Sequence, residues 1–244
     1  MCLGRTHSLQ GLAVGVATLP SAPVPNTLTE HIAWVAAVGG MAMLPDLDQR
    51  GTTIARMWGP ISETAAGFVG WVARGHRWGT HDLALAPVVL GGIAFAAALY
   101  GPTRLTVLAI ALGLALRALA PAIPGRAETT ILGNLALSWT GAWWLTHHEP
   151  LTATSWLPWA VALGVVVHCL GDAPTEEGLP VPLLWITHRW RMPLPWRLGF
   201  GTGHGFETRV VFPLTAVALV LALGWNAGLG TYVAHYARTK GWLA

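Results

Sequence analysis

The chain has 244 residues, 53% of them hydrophobic and only 10% charged, against roughly 25% charged in an ordinary soluble domain. Its mean hydropathy of +0.52 points the same way. A net charge of +3 is too small for a nucleic-acid surface, and two cysteines, Cys2 and Cys169, exclude a disulfide framework.

Taken in order, the chain begins with a short apolar stretch at residues 9–24, closed by Pro20 and Pro23. It lacks the small-residue cleavage pattern of a signal peptide. A second stretch at residues 31–44 ends at Pro45. Both fall short of the roughly 20 apolar residues that span a bilayer, so they read as a hairpin packed on longer helices. Residues 49–74 read as a polar connection carrying Arg50, Arg56 and Glu63. Helices are expected over residues 83–99 and 105–119, split by Gly101-Pro102, then over 131–145 and 156–170. A Pro- and Gly-rich loop at residues 173–208 precedes a last apolar run at 210–236. Uncharged runs of this kind do not alternate as barrel strands do. The expected fold is therefore all-α: one domain over residues 1–244, a polytopic helical membrane protein with about five to seven membrane helices.

Placing the N-terminus inside puts His7, Asp46, Asp48, His76, His81, His168, Asp172 and Glu207 at the same side of the bilayer. Arg5, Arg50, Arg56, Arg74, Arg77, Arg189, Arg191 and Arg209 fall there too, as the positive-inside tendency requires. The predicted location is the inner membrane, with these groups at its cytoplasmic face.

Three stretches carry the candidate chemistry. Asp46 and Asp48 are spaced i, i+2, and in an extended segment after Pro45 they would point the same way. Paired carboxylates suit a divalent cation, although Asp also populates solvated turns. His76 and His81 are five apart, and on one helix they would diverge by about 140°. A tight loop allowed by Gly75 and Gly79 suits them better. His168 and Asp172 are i, i+4 and share a helix face. An ionisable group inside the apolar run around His168 is a functional candidate by default, the alternative being a buried His–Asp hydrogen bond. His7 and Glu207 gain weight only from the side on which they fall.

The ordered set Leu44-Pro45-Asp46-Leu47-Asp48, Gly75-His76-Arg77 with Thr80-His81, then His168 and Asp172 resembles the YdjM-like family. Further matching residues are Gly178-Leu179-Pro180, Leu183-Leu184-Trp185 with Arg189, and the region of Glu207 and Arg209. Asp82 departs from the family pattern, which has Ser after Thr-His. The resemblance implies a membrane-bound, metal-dependent hydrolase of a family that some bacteria place under the SOS repressor. The metal-ligand set it supports is His7, Asp46, Asp48, His76, His81, His168 and Asp172. That set is large enough for one or two divalent ions, with zinc the expected metal. Glu207 is the expected general base, and Arg77 the group that stabilises an anionic substrate. The expected partners are the lipid bilayer and a small-molecule or lipid substrate carrying a phosphoester, with no nucleic acid. The competing reading is a membrane metal-binding or transport protein without hydrolysis, and a third is a membrane scaffold that binds a soluble partner through the loop at residues 173–208.

Overall fold

The computed structural model describes residues 3–52, 54–119, 130–148, 154–192, 199–228 and 238. Helices α1 (Gly4–Ala17), α2 (Leu28–Met41), α3 (Pro60–Val72), α4 (Leu85–Ala98), α5 (Gly101–Leu119), α6 (Ile131–His148) and α7 (Leu157–Asp172) follow one another. A short helix α8 (Trp185–His188) and a final helix α9 (Phe212–Asn226) complete the described helices. Strands β1 (Leu179–Pro180) and β2 (Arg191–Met192) pair antiparallel within the long loop.

The helix starts follow from local chemistry. The Thr27 hydroxyl accepts the Glu30 N–H at 3.3 Å, capping α2. Pro sits in the first turn of α3, α7 and α9, where the missing N–H costs nothing. Asp82 accepts the Ala84 and Leu85 N–H groups at 2.8 and 2.9 Å, closing the start of α4.

Helix α2 is the centre of the bundle. Helices α1, α5 and α7 pack on it, α4 lies against α7, α6 against α5, and α9 against α1. Trp34, Val38, Met41, Leu108, Trp156 and Leu157 are buried in the shared core. Glycine decides how closely α7 approaches the end of α2. A Cβ at Gly164 would stand 2.8 Å from Ala42 N, so no other residue lets these backbones meet there. That contact sets the height of His168 beside Ala42.

The outside of the bundle is strongly apolar. Leu214, Val217, Val220, Leu221 and Trp225 are exposed on α9, and Val88, Ile93 and Phe95 on α4. Two helices are long and apolar enough to cross a membrane, Gly101–Ala118 and Glu207–Asn226, while α4 and α7 are apolar but shorter. The expectation of five to seven spans thus meets two helices of full length among the described residues; the last run continues into residues 229–237, outside them.

Two local features differ from the sequence expectation. The stretch at residues 49–74 is not merely a polar connection, because α3 occupies Pro60–Val72. The only charge within α3 is Glu63 in its first turn, and the rest of the helix after Thr64, Ala-Ala-Gly-Phe-Val-Gly-Trp-Val, is apolar. Residues Leu44–Asp48 form a 3-10 turn and not an extended segment. At about three residues per turn, positions i and i+2 point roughly 120° apart. Asp46 and Asp48 therefore approach His81 from different sides, Asp46 at Nε2 and Asp48 at Nδ1.

Candidate metal centre

Four chain segments end at one place: the first turn of α1 with His7, the 3-10 turn after α2 with Asp46 and Asp48, the loop before α4 with His76 and His81, and the last turn of α7 with His168 and Asp172. Apart from half-buried His76, all seven side chains are buried. The loop before α4 turns sharply, with Gly75 at φ +106° and Arg77 at φ +64°. The second is a left-handed conformation that a non-glycine residue adopts only when surrounding contacts hold it.

His81 and His168 face each other with their Nε2 atoms 3.1 Å apart. The Nδ1 of His168 lies 2.8 Å from the Ala42 carbonyl, which can only accept, so Nδ1 carries the proton and Nε2 presents a lone pair. The Nδ1 of His81 lies 3.0 Å from Thr80 Oγ1, whose hydroxyl donates to Asp48 Oδ2 at 2.5 Å. The hydroxyl therefore accepts from His81, and that ring also turns its Nε2 lone pair inward. Asp46 Oδ1 stands 3.8 Å from His81 Nε2 and 3.7 Å from His168 Nε2. Asp172 Oδ2 stands 3.6 and 3.7 Å from the same atoms.

This grouping of two lone pairs and two carboxylate oxygens calls for a cation. Asp46 Oδ1 is buried and has no hydrogen-bond partner. Ligand atoms about 2.0–2.1 Å from a zinc ion stand roughly 3.3 Å apart at tetrahedral angles, and the five separations here run from 3.1 to 3.8 Å. The residues present therefore fit a divalent metal ion. Three overlapping trios have ligand atoms close enough to share one: His7, Asp46 and His168; Asp46, His76 and His81; and His81, His168 and Asp172.

The electrostatics agree with the geometry. Burial opposes a charge on His81, but the carboxylates of Asp46 and Asp48 beside it outweigh that and raise its pKa to about 9. Burial would push the Asp46 carboxyl up, yet the surrounding imidazoles of His168, His81 and His7 hold it below the usual range. Asp48 is likewise held low, burial being outweighed by hydrogen bonds from His76 and His81. With no ion bound, a proton on His81 supplies the positive charge that the carboxylates demand.

The other expected residues surround this quartet. Asp48 binds His76 Nδ1 at 2.6 Å and accepts the Arg77 N–H at 3.3 Å, so it orients the loop that carries the histidines. His7 stacks on His168 with ring centroids 3.9 Å apart and reaches Asp172 Oδ1 at 3.2 Å. Arg77 is buried, its Nη2 lying 3.0 Å from Asp172 Oδ2 and its Nη1 donating to Thr175 Oγ1 at 3.1 Å. His76, 24% exposed, is the member of the cluster nearest to solvent. Glu207, in a π-helical turn at Glu207–Val211, accepts from Leu3 N–H, from Thr6 Oγ1 at 2.8 Å and from Gly203 N–H at 2.8 Å. Its carboxylate ties α9 to the start of α1, next to His7.

Sequence reasoning assigned no role to Asp82. It is buried and accepts Leu183 N–H at 2.8 Å and Trp185 Nε1–H at 2.7 Å, besides closing α4. Burial is outweighed by hydrogen bonds from Leu183, Leu85 and Trp185, which hold its pKa down. The signal was its place directly after His81.

Fold and site together define a helical protein with an apolar exterior and a buried His–Asp cluster able to hold a metal ion. The chain belongs to the family of the YdjM inner membrane protein, whose family model matches residues 1–233. Comparison with curated proteins and with solved structures gave no match.

Proposed function

We propose that this protein is a multi-pass, zinc-dependent hydrolase of the inner membrane, acting on a phosphoester at the cytoplasmic face. The observation that carries the reading is the convergence of the His81 and His168 Nε2 lone pairs with Asp46 and Asp172. Those four residues would hold the ion, and the trio that includes His76 leaves room for a second. A bound divalent ion supplies Lewis acidity and lowers the pKa of water. The protein supplies the rest. Arg77 holds Asp172 in place and adds a fixed positive charge beside an anionic substrate. His76, braced by Asp48 and half-open to solvent, is placed to move a proton. Glu207 acts through the start of α1.

Hydrolysis is favoured over transport because the three ligand trios share members and form one cluster. A carrier would spread ionisable groups along a path through the membrane. The cytoplasmic placement rests on the arginines flanking the same loops. The test is metal analysis of the purified protein followed by a screen of phosphoester and lipid substrates. Near-stoichiometric divalent metal, with activity lost to a chelator and restored by zinc, is expected. A metal-free protein whose thermal stability ignores added zinc would overturn the reading.

A further inference from the structure

A cavity of about 330 Å³ runs between α3 and α4, walled by Phe68, Val72, Val89 and Ile93 and closed at one end by Thr80 and Trp185. Its sides are almost wholly apolar. Its closed end abuts the metal centre: Thr80, which lines it, turns its hydroxyl to the other side, donating to Asp48 and accepting from His81. Trp185 is fixed there by its bond to Asp82. From Leu85 to Ile93 the groove follows α4 for about 12 Å at 1.5 Å per residue. One leaflet of a bilayer has roughly 15 Å of hydrocarbon depth.

Three arginines gather near the closed end, one of them, Arg191, paired with Glu177 at 3.5 Å. Arg189 and Arg191 lie over the Trp78 ring, 5.3 and 4.7 Å from its centroid. Arg189 also reaches the Arg74 carbonyl, and the Arg74 guanidinium donates to the Ile186 carbonyl at 2.7 Å. Trp78 immediately precedes Gly79 and Thr80, which line the cavity, so the three guanidinium groups gather one residue beyond its closed end.

We propose that the α3–α4 groove binds one acyl chain of an anionic, phosphate-bearing membrane lipid, with the phosphate held at the metal end beside Arg74, Arg189 and Arg191. The inference rests on the hydrolase reading of that centre, and it names the substrate class. An apolar slot of this size ending beside a ligand cluster has the usual shape of a small-molecule site. Its continuity with Thr80, its leaflet-scale length and its cationic rim select a lipid over a soluble phosphoester.

The experiment uses the full-length, zinc-loaded protein in lipid nanodiscs doped with phosphatidic acid that carries a diazirine near the end of one acyl chain. After irradiation, the adducts are mapped by peptide mass spectrometry. In the wild type, adducts are expected on α3 and α4 at the groove. Val89→Trp and, from the opposite wall, Val72→Trp should each lower groove adducts by about tenfold or more, since excluding even two methylenes costs that much. Both variants must retain zinc, which shows that the fold is intact. Adducts spread over all exposed apolar helices, in proportions that neither variant changes, would overturn the inference whatever the activity. Groove adducts with no hydrolysis of any phosphoester would instead uphold the lipid site and remove the hydrolase reading.

Discussion

The imidazoles of His81 and His168 point their Nε2 atoms at each other across 3.1 Å, each ring having its Nδ1 proton engaged elsewhere. Two lone pairs at that distance repel unless something positive lies between or beside them. The position of His168 is fixed by the Ala42 carbonyl and that of His81 by Thr80, so neither ring can turn away cheaply.

The first prediction follows from this pair. His81→Ala or His168→Ala should abolish stable zinc binding. Loss of a group that merely orients a ligand lowers affinity about 10–100-fold, so a larger fall marks direct ligation. Isothermal titration of metal-stripped protein measures it. A fall of less than tenfold in both variants would remove the quartet as the binding site.

Proton and metal compete for His81, and this gives opposite pH trends. In the metal-free protein the folded pKa of about 9 lies above the ordinary value of 6.5. The protonated ring therefore stabilises the fold fully below pH 6.5, and that contribution is lost as the pH rises through about 9. The ion needs the neutral ring, so the apparent zinc affinity should instead climb about tenfold per pH unit across the same window and level off above it. Calorimetric melting of the metal-free protein and zinc titrations over this range test the two signs. A metal-free melting temperature that rises between pH 7 and 9 would contradict the assignment.

Asp48→Asn isolates orientation from ligation. Asp48 holds His76 at 2.6 Å and accepts from Thr80, which in turn receives the His81 proton. Asn keeps the shape and loses the charge. Zinc affinity should fall about 10–100-fold, between wild type and the His81→Ala variant. A loss as large as that of His81→Ala would show that Asp48 is itself a ligand.

Much of this site was legible in the sequence because its pieces are short and local. The i, i+4 spacing of His168 and Asp172 on an apolar helix requires a shared face, and α7 provides it. The glycines around His76 and His81 require a loop, and Gly75 takes a positive φ there. What was not legible is which of two neighbouring carboxylates does which task. Asp46 and Asp48 separate because a 3-10 turn rotates them apart, and that turn depends on how α2 ends against α7. Helix α3 was hidden for another reason. The charges that precede it, Glu63 in its first turn and two internal glycines mask an apolar second half that packs beside the groove. The partners of Asp82, Leu183 and Trp185, lie a hundred residues away, and no local pattern announces them.

Gly164→Leu tests the backbone contact that positions His168. Even a Cβ there would stand 2.8 Å from Ala42 N and from Met41. These are backbone atoms or closely packed ones and cannot swing aside. Overpacking of this kind costs about 1–3 kcal/mol, and α7 must shift away from the end of α2. Both a lower melting temperature and weaker zinc binding are expected, because the bond from His168 to Ala42 is lost with the shift. Retained zinc affinity in a destabilised protein would separate the α2–α7 contact from the metal centre.

Asp172 offers the sharpest test, because its two oxygens face different partners. Oδ1 receives His7 at 3.2 Å, while Oδ2 faces Arg77 at 3.0 Å and the two Nε2 atoms. In Asp172→Asn the amide nitrogen cannot take the Oδ2 side, where the Arg77 donor already points. It takes the His7 side, where the imidazole can switch tautomer and accept, leaving a neutral oxygen toward the histidines. The shape survives and the charge does not. If Asp172 only formed a buried hydrogen bond to His168, the change would cost about 1–2 kcal/mol of stability and leave metal content untouched. As a ligand it removes one of the two carboxylates that balance the ion, so zinc affinity should fall more than about 100-fold, beyond the range of an orienting group. Breaking a buried pair by removing one charge costs about 3–5 kcal/mol, and Arg77 keeps Glu177 at 3.4 Å as a partial replacement, so the fold should persist at a reduced melting temperature. Zinc content equal to wild type in a folded Asp172→Asn protein would take Asp172 out of the quartet.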